Sequence, residues 1–101
     1  MEGRQSKIIY VDIDGTICSV AKPYSDANPI HEYIKKINDL YDDGHTIIYY
    51  TARGAVTKVD YTELTKTQLD SWGCKYNQLI MNQKPHYDLY ICDKSKRIEE
   101  I

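Results

Sequence analysis

Asp12 and Asp14 are two carboxylates that stand two residues apart, directly after the apolar run Ile8–Val11. Side chains two apart on an extended chain point the same way, so both acids can meet one metal ion or one reacting group just beyond a sheet edge. A phosphate monoester resists attack by an anion, so a carboxylate nucleophile needs a cation and hydrogen-bond donors that neutralise the phosphoryl oxygens. This pair of acids is therefore a candidate centre for phosphoryl transfer.

Other polar residues would supply the remaining parts of such a site. Mg²⁺ prefers oxygen ligands and usually keeps several waters, so the carboxylates of Asp12 and Asp93 and the main-chain carbonyl of Asp14 would suffice to bind it. Lys84 would offer a positive charge to the phosphoryl oxygens, and the Thr51 hydroxyl would donate a hydrogen bond. In this interpretation Asp14 gives a proton to the leaving alcohol and later activates water.

Substrate contacts are predicted from residues in the turns near these acids. Arg53, in the turn after the second strand, has a planar guanidinium that could clamp a phosphate or carboxylate, and a surface salt bridge is an equal alternative. Gly15 and Thr16, which complete the acidic motif, are predicted to contact the substrate. Tyr24 and Tyr87 could flank the same mouth and stack on a sugar or base, although ordinary amphipathic packing is the simpler explanation.

Apolar segments bounded by turn residues predict strands that alternate with helices. The predicted strands are Lys7–Val11, Thr46–Tyr50, Gln78–Met81 and Leu89–Cys92. Crossover helices favour a parallel sheet with helices on both faces. We therefore predict one domain over residues 1–101, a small doubly wound, Rossmann-like α/β fold in which ligands bind beyond the carboxyl ends of the strands.

The predicted helices carry recognisable start and stop signals. Asn28, followed by proline, is typical of an N-cap, and apolar residues continue at helical spacing until Gly44. Asp60 and Glu63 have the spacing of a capping box at the start of a second helix. A turn at Lys84 and a charged helix at the end of the chain complete the prediction.

Composition narrows the classes of protein that the chain can represent. The 101 residues carry a formal net charge of −2 without long like-charged blocks, which argues against a general binder of nucleic acid or anionic membranes. No apolar run approaches the length of a membrane span, and the polar start lacks the apolar stretch of a secretory signal, so we expect a cytoplasmic protein. The three cysteines are widely spaced and odd in number, which favours reduced thiols.

With these residues in order, the chain resembles the haloacid dehalogenase superfamily over almost its whole length. Its phosphatases carry a DxDGT motif on the first strand, then a Thr or Ser, a Lys and an acid, matched here by Asp12–Thr16, Thr51, Lys84 and Asp93. The resemblance implies that Asp12 attacks phosphorus and forms an aspartyl-phosphate, which water then hydrolyses. An acid at Asp14 favours phosphatases over dehalogenases.

Two departures from the family pattern concern the metal and the substrate. Similar small members often have adjacent acids after the last strand, whereas Cys92 precedes Asp93 here, and a thiol suits Mg²⁺ poorly. The segments after the first and second motifs are too short for a cap domain, so the resemblance implies a capless enzyme that is open to a bulky substrate or closed by a second subunit in a homo-oligomer. Similarity to short capsule and polysaccharide biosynthesis phosphatases implies a sugar phosphate or nucleotide-linked sugar as the small phosphorylated metabolite.

Two other classes of function remain open. Receiver domains also place acids, a Thr and a Lys at the carboxyl edge of a parallel sheet, but their phospho-accepting Asp follows the third strand, and they have no acid after the Lys. A non-catalytic module that keeps the fold and binds phosphorylated ligands is the other alternative, and Cys92 would be compatible with it.

Overall fold

Strands and helices alternate along the parts of the chain that the computed structural model describes, which are residues 6–54, 58–81 and the backbone of 89–91. The strands are β1 (Ile8–Asp12), β2 (Thr46–Thr51), β3 (Gln78–Met81) and β4 (Leu89–Ile91). The helices are α1 (His31–Asp42) and α2 (Thr62–Ser71). The predicted order of elements is confirmed over these ranges.

The strands form one parallel sheet in the order β3-β2-β1-β4. The strands β1, β2 and β3 follow one another outward, and β4 then pairs with the other side of β1. The direction in which the sheet grows therefore reverses at β1. The predicted α/β class with a parallel sheet is confirmed.

Aliphatic side chains from β1, β2 and the two helices make the core. Its fully buried members include Ile9, Val11, Ile37, Ile47 and Leu69. In β1 and β2 three consecutive residues are buried, as expected for strands in the middle of a parallel sheet, where both faces are covered. This packing fixes the carboxyl ends of β1 and β2 side by side.

The start of α1 differs from the prediction that Asn28 caps it. The helix begins at His31 with Ile30 at the N-cap position and no side-chain cap. The residues before the helix are bonded to the segment that follows the acidic motif. Ser19 N–H donates to the Asn28 carbonyl (2.9 Å), and Ile30 N–H donates to the Ile17 carbonyl (2.8 Å). The Ser19 hydroxyl also accepts a bond from Asn28 N–H (2.9 Å). Pairing with the segment after the acidic motif therefore delays the helix by two residues.

The capping box predicted for α2 is displaced as well. The helix begins at Thr62, and its N-cap is Tyr61, which makes no side-chain cap bond. Asp60 lies one residue earlier, where its Oδ1 accepts a bond from Thr62 N–H (2.9 Å). The bonds with Thr62 also lower the pKa of Asp60. Asp60 thus makes a local turn ahead of the helix rather than capping it.

Some predictions fall beyond the residues described. The turn at Lys84, the last predicted strand residue Cys92 and the charged terminal helix lie outside the described ranges. Within those ranges, no helix has the length and apolar character that crossing a membrane requires.

The junction between Ser19 and Asn28 gives a test of the corrected helix start. We expect Ser19→Ala to lower the free energy of unfolding by about 0.5–1.5 kcal/mol, because it removes the acceptor for Asn28 N–H. Asn28→Ala should cost less than about 0.5 kcal/mol, below the ~1 kcal/mol typical of a lost N-cap. Urea unfolding of both variants measures the difference. A larger loss in Asn28→Ala than in Ser19→Ala would contradict this account.

Candidate active site

The carboxyl ends of β1 and β2 bring Asp12 and Thr51 to the same edge of the sheet. Asp12 is the last residue of β1 and is paired in register with Tyr50, so Thr51 lies one residue further along the neighbouring strand. Asp12 is partly buried, and its Oδ1 accepts a bond from Ile13 N–H (2.9 Å). Thr51 is buried, and its Oγ1 accepts a bond from Arg53 N–H (3.1 Å), which leaves the hydroxyl proton to donate elsewhere.

A tight turn after β1 positions Asp14. Thr16 N–H and Ile17 N–H both donate to the Ile13 carbonyl, at 3.1 and 3.0 Å, and Gly15 N–H donates to the Cys18 carbonyl at 2.9 Å. Gly15 has φ 83°, a conformation that a residue without a Cβ adopts most easily. The turn places Asp14 where its carboxylate meets the residues that follow β2.

Asp14 and Arg53 form a two-pronged ion pair at the centre of the site. Arg53 Nε donates to Asp14 Oδ2 (2.9 Å), and Nη2 donates to Oδ1 (2.7 Å). The salt bridge predicted as the alternative role of Arg53 is therefore present, but it is internal rather than on the surface, because the arginine is only 1% exposed. Two parallel hydrogen bonds between a guanidinium and a carboxylate fix the relative orientation of the two groups as well as their distance. The pair therefore sets the orientation of the Asp14 carboxylate.

Helix α2 and Tyr24 hold Arg53 from its other sides. Its Nη1 donates to Thr65 Oγ1 (3.2 Å) and to Gln68 Oε1 (2.6 Å). The guanidinium carbon lies 4.8 Å from the centre of the Tyr24 ring. Four of the five guanidinium N–H groups are thus engaged within the protein. Among the described residues, one Nη2 hydrogen has no partner, and the substrate role of Arg53 stays a prediction.

The electrostatics of this cluster keep Arg53 charged and Cys18 neutral. Burial on its own would lower the pKa of Arg53, but the hydrogen bonds and charge of Asp14 outweigh it and raise that pKa. Burial, followed by the negative charge of Asp14, raises the pKa of the Cys18 thiol to about 12. The thiol lies 3.6 Å from both the Ile13 carbonyl and Asp14 Oδ1, to which it donates weakly. Cys18 is therefore a packing residue, not a reactive thiolate.

Gly54 brings the chain close to itself directly after Arg53. It has φ 84°, and a Cβ there would overlap the main-chain carbonyl oxygen of Val59 and press against the Tyr61 ring. No larger residue fits without moving that backbone. Gly54 thus fixes how the segment before α2 approaches the arginine.

The oxygen atoms near Asp12 fit a hard cation such as Mg²⁺ in part. The Asp12 carboxylate and the Asp14 main-chain carbonyl are the kind of ligand that Mg²⁺ prefers, and within the described ranges no group donates a hydrogen bond to that carbonyl. The third predicted ligand, Asp93, and the predicted cation Lys84 lie outside those ranges. No cluster of three His, Cys, Asp or Glu that could hold a metal occurs among the residues described.

Thr16 presents a buried hydroxyl beside the acids. The residue is 1% exposed, and its Oγ1 has no hydrogen-bond partner within the described part of the chain. A buried hydroxyl without a partner is energetically costly. Its predicted contact with substrate, like that of Gly15, stays a prediction.

Sequence reasoning missed the residues that hold Arg53 in place. Thr65 and Gln68 are buried polar residues on α2, three positions apart and therefore on one face of the helix. Polar residues interrupting an inward helical face were the available signal, since buried polar groups require partners. The sequence alone does not show that Arg53 is the partner of these two side chains.

Comparison with known proteins identifies a fold. A crystal structure of a target protein from Vibrio cholerae superimposes with a TM-score of 0.75 over 95% of this chain and 86% of the other, at 23% sequence identity. The likeness is one of fold. At this identity it carries no conclusion about activity. No protein-family model matches the chain, and no curated protein matches it either.

The internal ion pair predicts a large stability loss when its cation is removed. Arg53→Met should lower the free energy of unfolding by about 3–5 kcal/mol, because Asp14 then keeps a partly buried charge without its partner. Lys35→Met is the matched control: it breaks the exposed pair with Asp39 and should cost less than about 1 kcal/mol. Chemical unfolding compares the two. Equal losses would contradict the structural role of Arg53.

Alanine substitutions at Gly54 and Gly73 distinguish the energetic cost of steric overlap from that of a left-handed backbone. Both have positive φ, but a Cβ on Gly73 meets no atom within 4 Å. Gly73→Ala should therefore cost about 1–2 kcal/mol, from the left-handed backbone alone. Gly54→Ala should cost about 2–5 kcal/mol, because overlap with Val59 adds to that term. Thermal and urea unfolding measure both variants, and equal losses would contradict a costly overlap between a Cβ at position 54 and the Val59 carbonyl.

Proposed function

We propose that this protein is a Mg²⁺-dependent phosphatase of the haloacid dehalogenase type, which hydrolyses a phosphate monoester through an aspartyl-phosphate. The observation that carries the proposal is the common edge of β1 and β2, where Asp12, Asp14 and Thr51 meet around a fixed ion pair. Lys84 and Asp93, at the family's positions in the sequence, would complete the set.

The reversal of strand order at β1 supports a doubly wound architecture for this function. In open α/β sheets, ligands bind beyond the carboxyl ends of the strands where the order reverses. Asp12 ends the strand at which this occurs, between β2 and β4. A phosphoryl group bound there would lie against the carboxylate of Asp12, the proposed nucleophile.

In the first step, a carboxylate oxygen of Asp12 attacks phosphorus, and the bond from phosphorus to the substrate oxygen breaks. Asp14 enters this step as the neutral acid, gives its proton to the leaving oxygen, and leaves the step as the carboxylate paired with Arg53. Among the described residues, Oδ1 of Asp14 accepts from Arg53 and from Cys18, whereas Oδ2 accepts from Arg53 alone. The second lone pair of Oδ2 is therefore the place for the transferable proton.

In the second step, a water molecule attacks the phosphorus of the aspartyl-phosphate. Asp14 takes the water's proton, and the bond to Asp12 breaks to release inorganic phosphate and the free carboxylate. The Thr51 hydroxyl donates to a phosphoryl oxygen in both steps; the bond that its oxygen accepts from Arg53 N–H does not use the hydroxyl proton. Arg53 holds Asp14 in one orientation throughout.

Mg²⁺ held by Asp12, the Asp14 carbonyl and Asp93 would neutralise phosphoryl charge and allow an anionic nucleophile to approach. The residues of the chain position the substrate and move the proton.

The test compares the wild type with Asp12→Asn on sugar phosphates, nucleotides and an aryl phosphate, each with Mg²⁺ and with chelator. Asp12→Asn should lose at least ~10³-fold in kcat/KM, and Asp14→Asn ~10²–10⁴-fold, because one removes the nucleophile and the other the proton carrier. Asp39→Asn, on the exposed side of α1, is the matched control and should change nothing.

Two results would overturn the proposal. Turnover that is unaffected by Asp12→Asn would remove the mechanism. Binding of phosphorylated ligands with no turnover of any compound would instead favour the non-catalytic module.

A further inference from the structure

Gln68 is a buried polar side chain on α2 to which the proposed reaction assigns no role. It is 8% exposed. Its Oε1 accepts a bond from Arg53 Nη1 (2.6 Å), and its Nε2 donates to the main-chain carbonyl of Tyr24 (2.9 Å). A guanidinium only donates and a carbonyl only accepts, so these two neighbours fix which end of the amide faces each of them. Gln68 therefore bridges Arg53 and the loop after β1 in one orientation.

The bond to Gln68 holds the guanidinium at the nitrogen that does not contact Asp14. Asp14 accepts from Nε and Nη2, whereas the acceptors of Nη1 among the described residues are Gln68 and Thr65. The guanidinium is planar and rigid, so fixing Nη1 also fixes the direction in which Nε and Nη2 point. Gln68 thus controls the geometry of the ion pair from its far side.

Among the described bonds of Arg53, the one to Gln68 is the shortest. Its 2.6 Å compares with 3.2 Å for the bond to Thr65 Oγ1, the other acceptor of Nη1. The Tyr24 ring lies 4.8 Å from the guanidinium carbon. Such a ring contact places the cation over the ring face, whereas a hydrogen bond also depends on the angle at the donor. Gln68 is therefore the principal restraint on the rotation of the guanidinium apart from Asp14 itself.

The second bond of Gln68 ties this restraint to the loop after β1. The Tyr24 carbonyl accepts from Gln68 Nε2 and also from Ala27 N–H (3.0 Å), so the amide is anchored to a formed turn. The amide cannot move away from Arg53 and keep its geometry with that carbonyl. Gln68 is thus held from both ends.

Proton transfer by Asp14 depends on where its carboxyl group points. A general acid must lie within hydrogen-bond reach of the leaving oxygen, and small misplacements cost large factors in rate. The orientation of this carboxyl follows from its two bonds with Arg53. We infer that Gln68 is a positioning residue for proton transfer by Asp14 and acts through Arg53; the inference rests on the phosphatase function proposed above.

The test uses two phosphates of similar shape whose leaving groups differ in their need for a proton. The alkoxide of para-nitrobenzyl phosphate must be protonated as it leaves, whereas para-nitrophenolate is a stable anion. Gln68→Met removes both bonds and should lower kcat/KM at least ~10-fold for para-nitrobenzyl phosphate but less than ~3-fold for para-nitrophenyl phosphate. Gln78→Met, at an exposed position of β3, is the matched control and should leave both values unchanged.

A purely structural role would not produce this pattern. Partial unfolding lowers the amount of active protein, so it reduces turnover of both compounds by the same factor and keeps the ratio of their kcat/KM values. Gln68→Asn covers the case in which Gln68→Met fails to fold, because it keeps an amide that is one methylene too short to reach both partners. It should change the ratio in the same direction. An unchanged ratio in the variant that folds, or an equal change in Gln78→Met, would overturn the inference.

Turnover by the wild type separates this inference from the proposed function. Turnover that depends on Asp12, with an unchanged ratio in the Gln68 variants, leaves the phosphatase and removes the role of Gln68. No turnover of either compound removes the phosphatase, and the Arg53 Nε–H signal in a proton–nitrogen NMR spectrum then tests the positioning alone. A signal that moves in Gln68→Met but not in Gln78→Met supports it, and a signal that stays in place overturns it.

Discussion

The buried ion pair between Arg53 and Asp14 is the interaction on which the site depends. A charge placed in the interior is tolerated only when it is paired and its hydrogen-bonding groups are used, and here the arginine bonds from its own turn to two other elements. It ties the turn after β1 to the turn after β2, and both to α2. Positions at the sheet edge that would otherwise depend on separate loops are therefore fixed relative to one another.

This constraint fixes the arrangement of side chains at the edge of the sheet. Arg53 would be a poor choice for stability alone, since a buried pair repays its desolvation only with good geometry. Arg53 instead orients Asp14, because two parallel hydrogen bonds from the guanidinium allow one orientation of the carboxylate. The tight approach at Gly54 and the hydrogen bonds with Thr65 and Gln68 keep the guanidinium in place.

The sequence predicted the order of elements and the parallel sheet because both follow from local patterns. Strands β1 and β2 are short apolar runs, and isoleucines at helical spacing mark α1. It failed at the helix starts, since Asn28 has the right residue type for a cap but is held by Ser19, a contact between distant residues. The partner of Arg53 was beyond prediction for the same reason, because Asp14 lies 39 residues away along the chain. Spacing reveals which residues can do chemistry, whereas pairing across the fold decides what each is bound to.

The hydrogen bonds between Ser19 and Asn28 close the loop between these residues, and this affects which positions can change in evolution. Both ends of the loop are fixed by main-chain bonds, so its tip can vary in sequence while the acids and the sheet keep their positions. Residues such as Lys22 and Pro23 lie on that tip and, with Tyr61, line a cavity of about 290 Å³. A few substitutions in this one loop could therefore reshape that cavity, while the carboxylates after β1 keep their positions.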